Sequence, residues 1–133
     1  MVRGIEVALA PTLEREGMAL LPYFPLASGL LTGKYEQGKD IPAGTRYARM
    51  GRFGERYMTD ENWRIVESLT AFAKSKGHDL LELAFSWLLA HPYLSSVIAG
   101  ATRPEQIEQN VKAASWQLSA ADEAEVNRLA AKG

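Results

Sequence analysis

Only two short stretches of this chain, Met18 to Tyr23 and Ser96 to Ala99, read as buried strands, and each breaks into a loop bearing glycine. Met18, Ala19, Leu20 and Leu21 give the first run near-continuous apolarity, which fits a parallel strand covered on both faces better than a surface strand. Pro22 marks where it ends. Two parallel strands do not make a stable sheet by themselves, because three or more strands or heavy helical cover are needed to bury their faces and edges. The fold class implied is therefore α/β, with an incomplete parallel sheet that self-association or a partner completes.

The remaining periodic segments read as helices. Glu6 to Glu16 has helical spacing, with Pro11 either near its first turn or kinking it and Gly17 as its stop. Asp60 is placed to cap a helix running to about Lys76, with Trp63, Val66, Leu69, Phe72 and Ala73 on its inner face and Gly77 after it. Asp79 and Glu82 have capping-box spacing at the start of a mostly apolar helix that ends before Pro92. Thr102 with Glu105 predicts another box and a helix to about Ala114, and Ser119 opens a last helix. The predicted order is α-β-αα-β-α-α. Glu36 to Met58, rich in Gly, Arg and Tyr and without periodicity, reads as a long excursion loop inside a single domain spanning residues 1–133.

That order fits the last turns of a (β/α)₈ barrel, whose strands lead through loops at one face into covering helices and whose phosphate sites favour the loops after strands seven and eight. The two junctions have suitable chemistry. Tyr23-Phe24-Pro25-Leu26-Ala27-Ser28-Gly29-Leu30-Leu31-Thr32-Gly33-Lys34-Tyr35 combines small residues, which let backbone N–H groups converge, with a lysine. Gly100-Ala101-Thr102-Arg103-Pro104-Glu105-Gln106 leads into a helix N-terminus that favours anions. Two strand-to-helix anion sites point to a nucleotide.

Other chemistries have little to work with. A net charge of −1 with no basic stripe argues against nucleic acid or a membrane surface. There is no cysteine, and His78 and His91 are the only histidines, so neither thiol chemistry nor a metal cluster is expected. The first residues lack the pattern of a secretory signal and no run is long enough to span a bilayer, which makes the cytoplasm the expected compartment.

The same two blocks carry a family resemblance. Tyr23-Phe24-Pro25-Leu26-Ala27 with Gly29-Leu30-Leu31 and Gly33-Lys34-Tyr35 resembles the signature after strand seven of bacterial aldo-keto reductases. Ser96-Val97-Ile98, Gly100-Ala101, Gln106-Ile107 and Asn110 are similar to that family's cofactor segment after strand eight, and the Leu83-Ala84-Phe85-Ser86-Trp87-Leu88-Leu89 helix lies between them in register. The resemblance implies the C-terminal part of a TIM barrel that binds NADP. It assigns Tyr23 to nicotinamide stacking, Phe24, Pro25, Leu26, Ala27, Ser28 and Gly29 to the pyrophosphate loop, and Lys34 to its flank. Arg46 would clasp the cofactor. Gly100, Thr102, Arg103 and Gln106 would surround the adenosine 2′-phosphate, with Gln109 and Asn110 at adenine.

The family's catalytic aspartate, tyrosine, lysine and histidine come from the first half of the barrel, so no catalytic residue is expected in this chain. Tyr35, Tyr47 and Tyr57 lie in loops without an arranged lysine, which leaves them poor proton donors near neutrality. The expected function is the NADPH-holding part of a carbonyl reductase. The alternatives are a non-catalytic NADP-binding module that pairs with itself or with a complementary half-barrel, and a folded assembly protein without ligand.

Overall fold

The structure is a computed structural model that describes residues 1–50 and 57–132. Six α-helices stand among the described residues. They are α1 (Leu9–Arg15), α2 (Arg46–Met50), α3 (Asp60–Ser75), α4 (Leu80–Leu89), α5 (Pro104–Ala113) and α6 (Ala120–Leu129). Short 3₁₀ turns cover Gly4–Glu6 and Ala27–Thr32. Helix α4 is the hub, packing on α3, on α5 and on the Ala27–Thr32 turn, while α6 closes against α3.

The predicted strands are reduced to one parallel bridge, Leu20 with Leu94, made by the Leu20 N–H donating to Tyr93 O at 2.7 Å and the Ser95 N–H donating to Leu20 O at 3.2 Å. Adjacency and parallel sense agree with the sequence reading, but the expected burial on both faces does not hold, since Met18, Leu21 and Ile98 are exposed where no further strand or helix covers them. Continuous strands do not form over Met18–Tyr23 or Ser96–Ala99, because a parallel pair with no further strand beside it has too few ladder bonds to hold an extended run. Pairing is centred on Leu94, just ahead of the predicted second strand.

Caps decide the helix boundaries. Asp79 accepts from the Glu82 N–H at 2.8 Å while the Glu82 carboxylate accepts from the Asp79 N–H at 2.9 Å, which completes the predicted box. Ser119 caps α6 as predicted, by accepting from the Asp122 N–H. Thr59 rather than Asp60 caps α3, accepting from the Asn62 N–H at 3.2 Å, and Asp60 falls in the first turn, where its charge suits the helix dipole. The Thr102–Glu105 box is absent. Pro104 occupies the first helical position, so the N-cap falls on the extended Arg103, and Thr102 instead donates its backbone N–H to Gln106 Oε1 at 2.7 Å.

Helix α1 is shorter than predicted. A 3₁₀ turn and a break precede it, and Gly17, at φ +62°, terminates it with the Met18 N–H bonded to Leu13 O. The expected long loop contains α2, and its residues 51–56 lie outside the described ones.

The core follows the predicted α3 face, with Trp63, Val66, Leu69 and Ala73 buried and Phe72 packed against them. Leu30, Tyr47, Ile65 and Leu83 are its most fully enclosed large side chains. His78 and His91 are helix-end residues, the first stacked on Trp116 with ring centroids 4.0 Å apart and the second 2.9 Å from Trp87 O through Nδ1.

The Asp79–Glu82 box gives two expected results. Asp79→Ala should lower the unfolding free energy by about 1 kcal/mol, read as a lower urea midpoint at an unchanged slope. Accepting the Asp79 N–H, with His78 donating beside it, holds the Glu82 carboxyl below its ordinary 4.5. A depressed carboxyl stabilises the fold above that ordinary value and loses its contribution as pH falls through the folded value. Glu82→Gln should therefore flatten the decline of the urea midpoint below about pH 4.5; an unaltered acid limb would exclude this carboxylate as a contributor.

Candidate functional site

The first junction is a strained loop built against the core. Phe24, Ala27 and Ser28 have φ of 52°, 47° and 56°, in the left-handed region where side chains carry a steric cost, and Gly29 follows at 99°. Three such non-glycine residues within five positions are held only because their surroundings over-determine them, and strain of this kind concentrates at binding sites. The Ala27, Gly29 and Leu31 N–H groups donate within the loop, to Phe24 O and Leu26 O, so these amides do not converge on an anion as the sequence reading expects. What remains is a hydroxyl. Ser28 is buried and its Oγ has no hydrogen-bond partner, an arrangement that costs about 1–3 kcal/mol unless a ligand or water satisfies it.

Lys34 lies back over this loop. A β-carbon on Gly29 would stand 2.7 Å from Lys34 Nζ, so glycine leaves the space in which the ammonium rests, 5.2 Å from the Tyr35 ring centroid. Tyr35 and Tyr47 form the floor, packed edge to face at 5.0 Å. Tyr47 donates its hydroxyl to Ala27 O at 2.8 Å, pinning the left-handed turn from below. Burial, then neighbouring Tyr35, pushes the Tyr47 hydroxyl up to about 12, so this tyrosine braces the loop and is a poor acid.

The structure brings most of the first block together. Tyr23 is 86% exposed and stacks on Phe24 at 4.1 Å. Arg46, the first residue of α2, sets its guanidinium 5.5 Å above the Phe24 ring, joining the excursion to the loop. Pro25 and Leu26 are half-buried, with Ala27, Ser28 and Gly29 beneath them. Tyr35 and Tyr47 are the supports that sequence reasoning missed. Neither carries a local signal as a brace, since their roles depend on α2 folding back over the turn.

The second junction sits at the start of α5. Gly100, Thr102 and Arg103 are exposed there, and the Gln106 side chain reaches back to the Thr102 N–H and hydroxyl, at 2.7 and 3.2 Å. Gln109 is exposed and Asn110 half-buried further along the helix. Because the Leu20–Leu94 bridge is parallel, both chains leave it in the same sense.

A cleft of about 520 Å³ opens behind the first loop, lined by Met1, Arg3 and Ile5 at one end, by Leu20 and Leu94 of the bridge, and by residues of α3, α4 and α6. Its lining is mostly apolar. Among the described residues no group of three or more His, Cys, Asp or Glu is placed to hold a metal, and no helix is long and apolar enough to cross a membrane.

Helices packed around one parallel bridge, with strained or exposed loops leaving that bridge, define a partial (β/α)₈ barrel with two candidate nucleotide loops. The profile described as "Aldo/keto reductase family" matches residues 2–131, and the chain belongs to that family. Among solved structures, a glycerol dehydrogenase from Gluconobacter oxydans superposes with a TM-score of 0.74 at 22% identity, covering 96% of this chain and 38% of that one. A "Probable voltage-gated potassium channel subunit beta" of Arabidopsis thaliana is 40% identical over 111 residues, 82% of this chain and 34% of the relative. An "L-glyceraldehyde 3-phosphate reductase" of Escherichia coli is 38% identical over 109 residues, 79% of this chain and 31% of the relative. The chain thus spans about a third of the length of the curated relatives it matches.

Proposed function

We propose that this chain is the NADP(H)-holding part of an oxidoreductase that interconverts a carbonyl and an alcohol. The observation that carries the reading is the Ser28 hydroxyl, buried without a partner inside a strained loop that Lys34 and Arg46 overlie. These groups fit a dinucleotide. Lys34 would neutralise the pyrophosphate, Arg46 would close over it from α2, and the Ser28 hydroxyl, enclosed as the loop stands, would donate to it on a shift of the Ala27–Ser28 turn. Tyr23 presents an exposed ring for a nicotinamide face, while Arg103, at the α5 N-terminus, would read the 2′-phosphate with Thr102 and Gln106 beside it. Gln109 and Asn110 follow on the same helix for adenine. When bound, the nicotinamide supplies the hydride.

In this reading the chain orients the cofactor, and the groups that protonate the carbonyl oxygen lie in the part of the barrel outside the matched third. Completion of the sheet, by a second copy or a complementary half-barrel, belongs to the same proposal and is supported by the single bridge and by exposed apolar residues such as Ile98. The cytoplasm is the compartment that suits such a role.

The test is a titration of the purified 133-residue chain with NADPH and NADH, followed by protein fluorescence. Saturable binding that favours NADPH is expected. A chain that is folded by circular dichroism yet binds neither nucleotide would overturn the assignment.

A further inference from the structure

We propose that Tyr35 is a positioning residue: the negative face of its ring fixes the Lys34 ammonium over the Ala27–Gly29 turn, where, on the nucleotide reading given above, that ammonium meets the pyrophosphate. The seat belongs to the chain itself.

A lysine at an exposed loop position ordinarily holds its ammonium out in water and moves among many rotamers. Lys34 is exposed, yet its stem turns back, so that a β-carbon built on Gly29 would stand 2.7 Å from Lys34 Nζ, 2.8 Å from its Cε and 3.5 Å from Tyr35 Cε2. Only a residue without a side chain leaves that notch, and the backbone of Gly29, at φ +99°, disfavours any other. Nζ lies 5.2 Å from the Tyr35 ring centroid, within cation–π reach. Among the described residues no carboxylate pairs with Lys34. The charge is held, but it is not neutralised.

The ring is a fixed platform. Tyr35 is only 5% exposed, meets Tyr47 edge to face at 5.0 Å, and its hydroxyl accepts from the Tyr47 N–H at 3.5 Å. With the ring buried and the lysine exposed, the aromatic face covers the inner side of the ammonium and leaves its outer side to an anion. A neutral support suits that task better than a carboxylate would, because no counter-ion has to be displaced when a phosphate arrives. Packing alone accounts for a buried tyrosine here. It does not require the neighbouring lysine to fold over a glycine.

The seat is read first without nucleotide, by NMR of the chain carrying isotope-labelled lysine. Ring currents should move the Lys34 ε-methylene signal upfield in the parent and in Tyr35→Phe, and the shift should vanish in Tyr35→Leu. An ε-methylene at the ordinary lysine position in the parent overturns the proposal. The second arm is an NADPH titration in two backgrounds. Tyr35→Leu should weaken binding about three- to tenfold in the parent, but less than about twofold beside Lys34→Met, because its effect runs through that ammonium. Equal loss in both backgrounds overturns the positioning role and leaves Tyr35 as packing. If Tyr35→Leu does not fold, a trifluorophenylalanine in place of Tyr35 keeps the ring's size and removes its negative face. It should weaken NADPH at least about threefold relative to Tyr35→Phe, and affinity equal to that of Tyr35→Phe overturns the proposal. A parent chain with the ring-shifted lysine that binds no NADPH supports the seat and overturns the nucleotide reading instead.

Discussion

Tyr47→Ala is expected to lower the unfolding free energy by about 3–5 kcal/mol, the cost of emptying a large aromatic site in a packed core. Tyr47 is only 2% exposed, packs edge to face on Tyr35 and donates to Ala27 O. Tyr47→Phe keeps the ring and removes only the hydroxyl. It should cost about 1–2 kcal/mol, because Ala27 O is left buried without its donor. Both values come from urea midpoints at a common slope. The pair also separates packing from loop geometry: the phenylalanine variant, though still folded, should weaken NADPH binding through relaxation of the left-handed Ala27–Ser28 backbone. Equal nucleotide affinity in that variant and the parent would show that the hydroxyl does not brace a binding loop.

Arg103→Glu should reduce NADPH affinity by about 10–100-fold, the equivalent of losing a charge-assisted hydrogen bond of about 1.5–3 kcal/mol, while NADH affinity changes by no more than about threefold. The substitution is a clean one. Arg103 is the exposed N-cap of α5 and its side chain makes no capping bond, so a carboxylate placed there complements the helix dipole and leaves the fold intact. The readout is the ratio of the two dissociation constants at one ionic strength. Equal loss for both nucleotides would remove Arg103 from 2′-phosphate recognition.

Legibility tracked the range of the interaction that decides each feature. Asp79 with Glu82, and Ser119 with the Asp122 N–H, are decided within one turn, and both appear where spacing places them. The Thr59 and Arg103 caps were misplaced by one residue because two capping residues stand side by side in one case and Pro104 overrides Thr102 in the other. The strands were misjudged in extent for a different reason. An apolar run reports a segment suited to burial, but the cover comes from neighbouring strands, and here Met18, Leu21 and Ile98 stay exposed and Leu20 finds a ladder partner only at Leu94. Of the site, the Tyr23–Lys34 block and the α5 start were readable as junctions. The left-handed turn, the orphaned Ser28 hydroxyl and the Tyr35–Tyr47 floor were not, since each is created by contacts across a turn with no periodicity.

The Leu20–Leu94 bridge also constrains the order in which the chain can fold. Its partners lie roughly seventy residues apart, and closing a flexible loop of that length costs about 4 kcal/mol, more than two backbone hydrogen bonds of about 1 kcal/mol each return. The bridge cannot nucleate the chain. It forms after α3 and α4 have drawn the segments together, at little further entropic cost once they are neighbours. The Leu20 and Ser95 amides thereby become reporters of the helical layer, open to exchange whenever that layer opens and closed only while it holds.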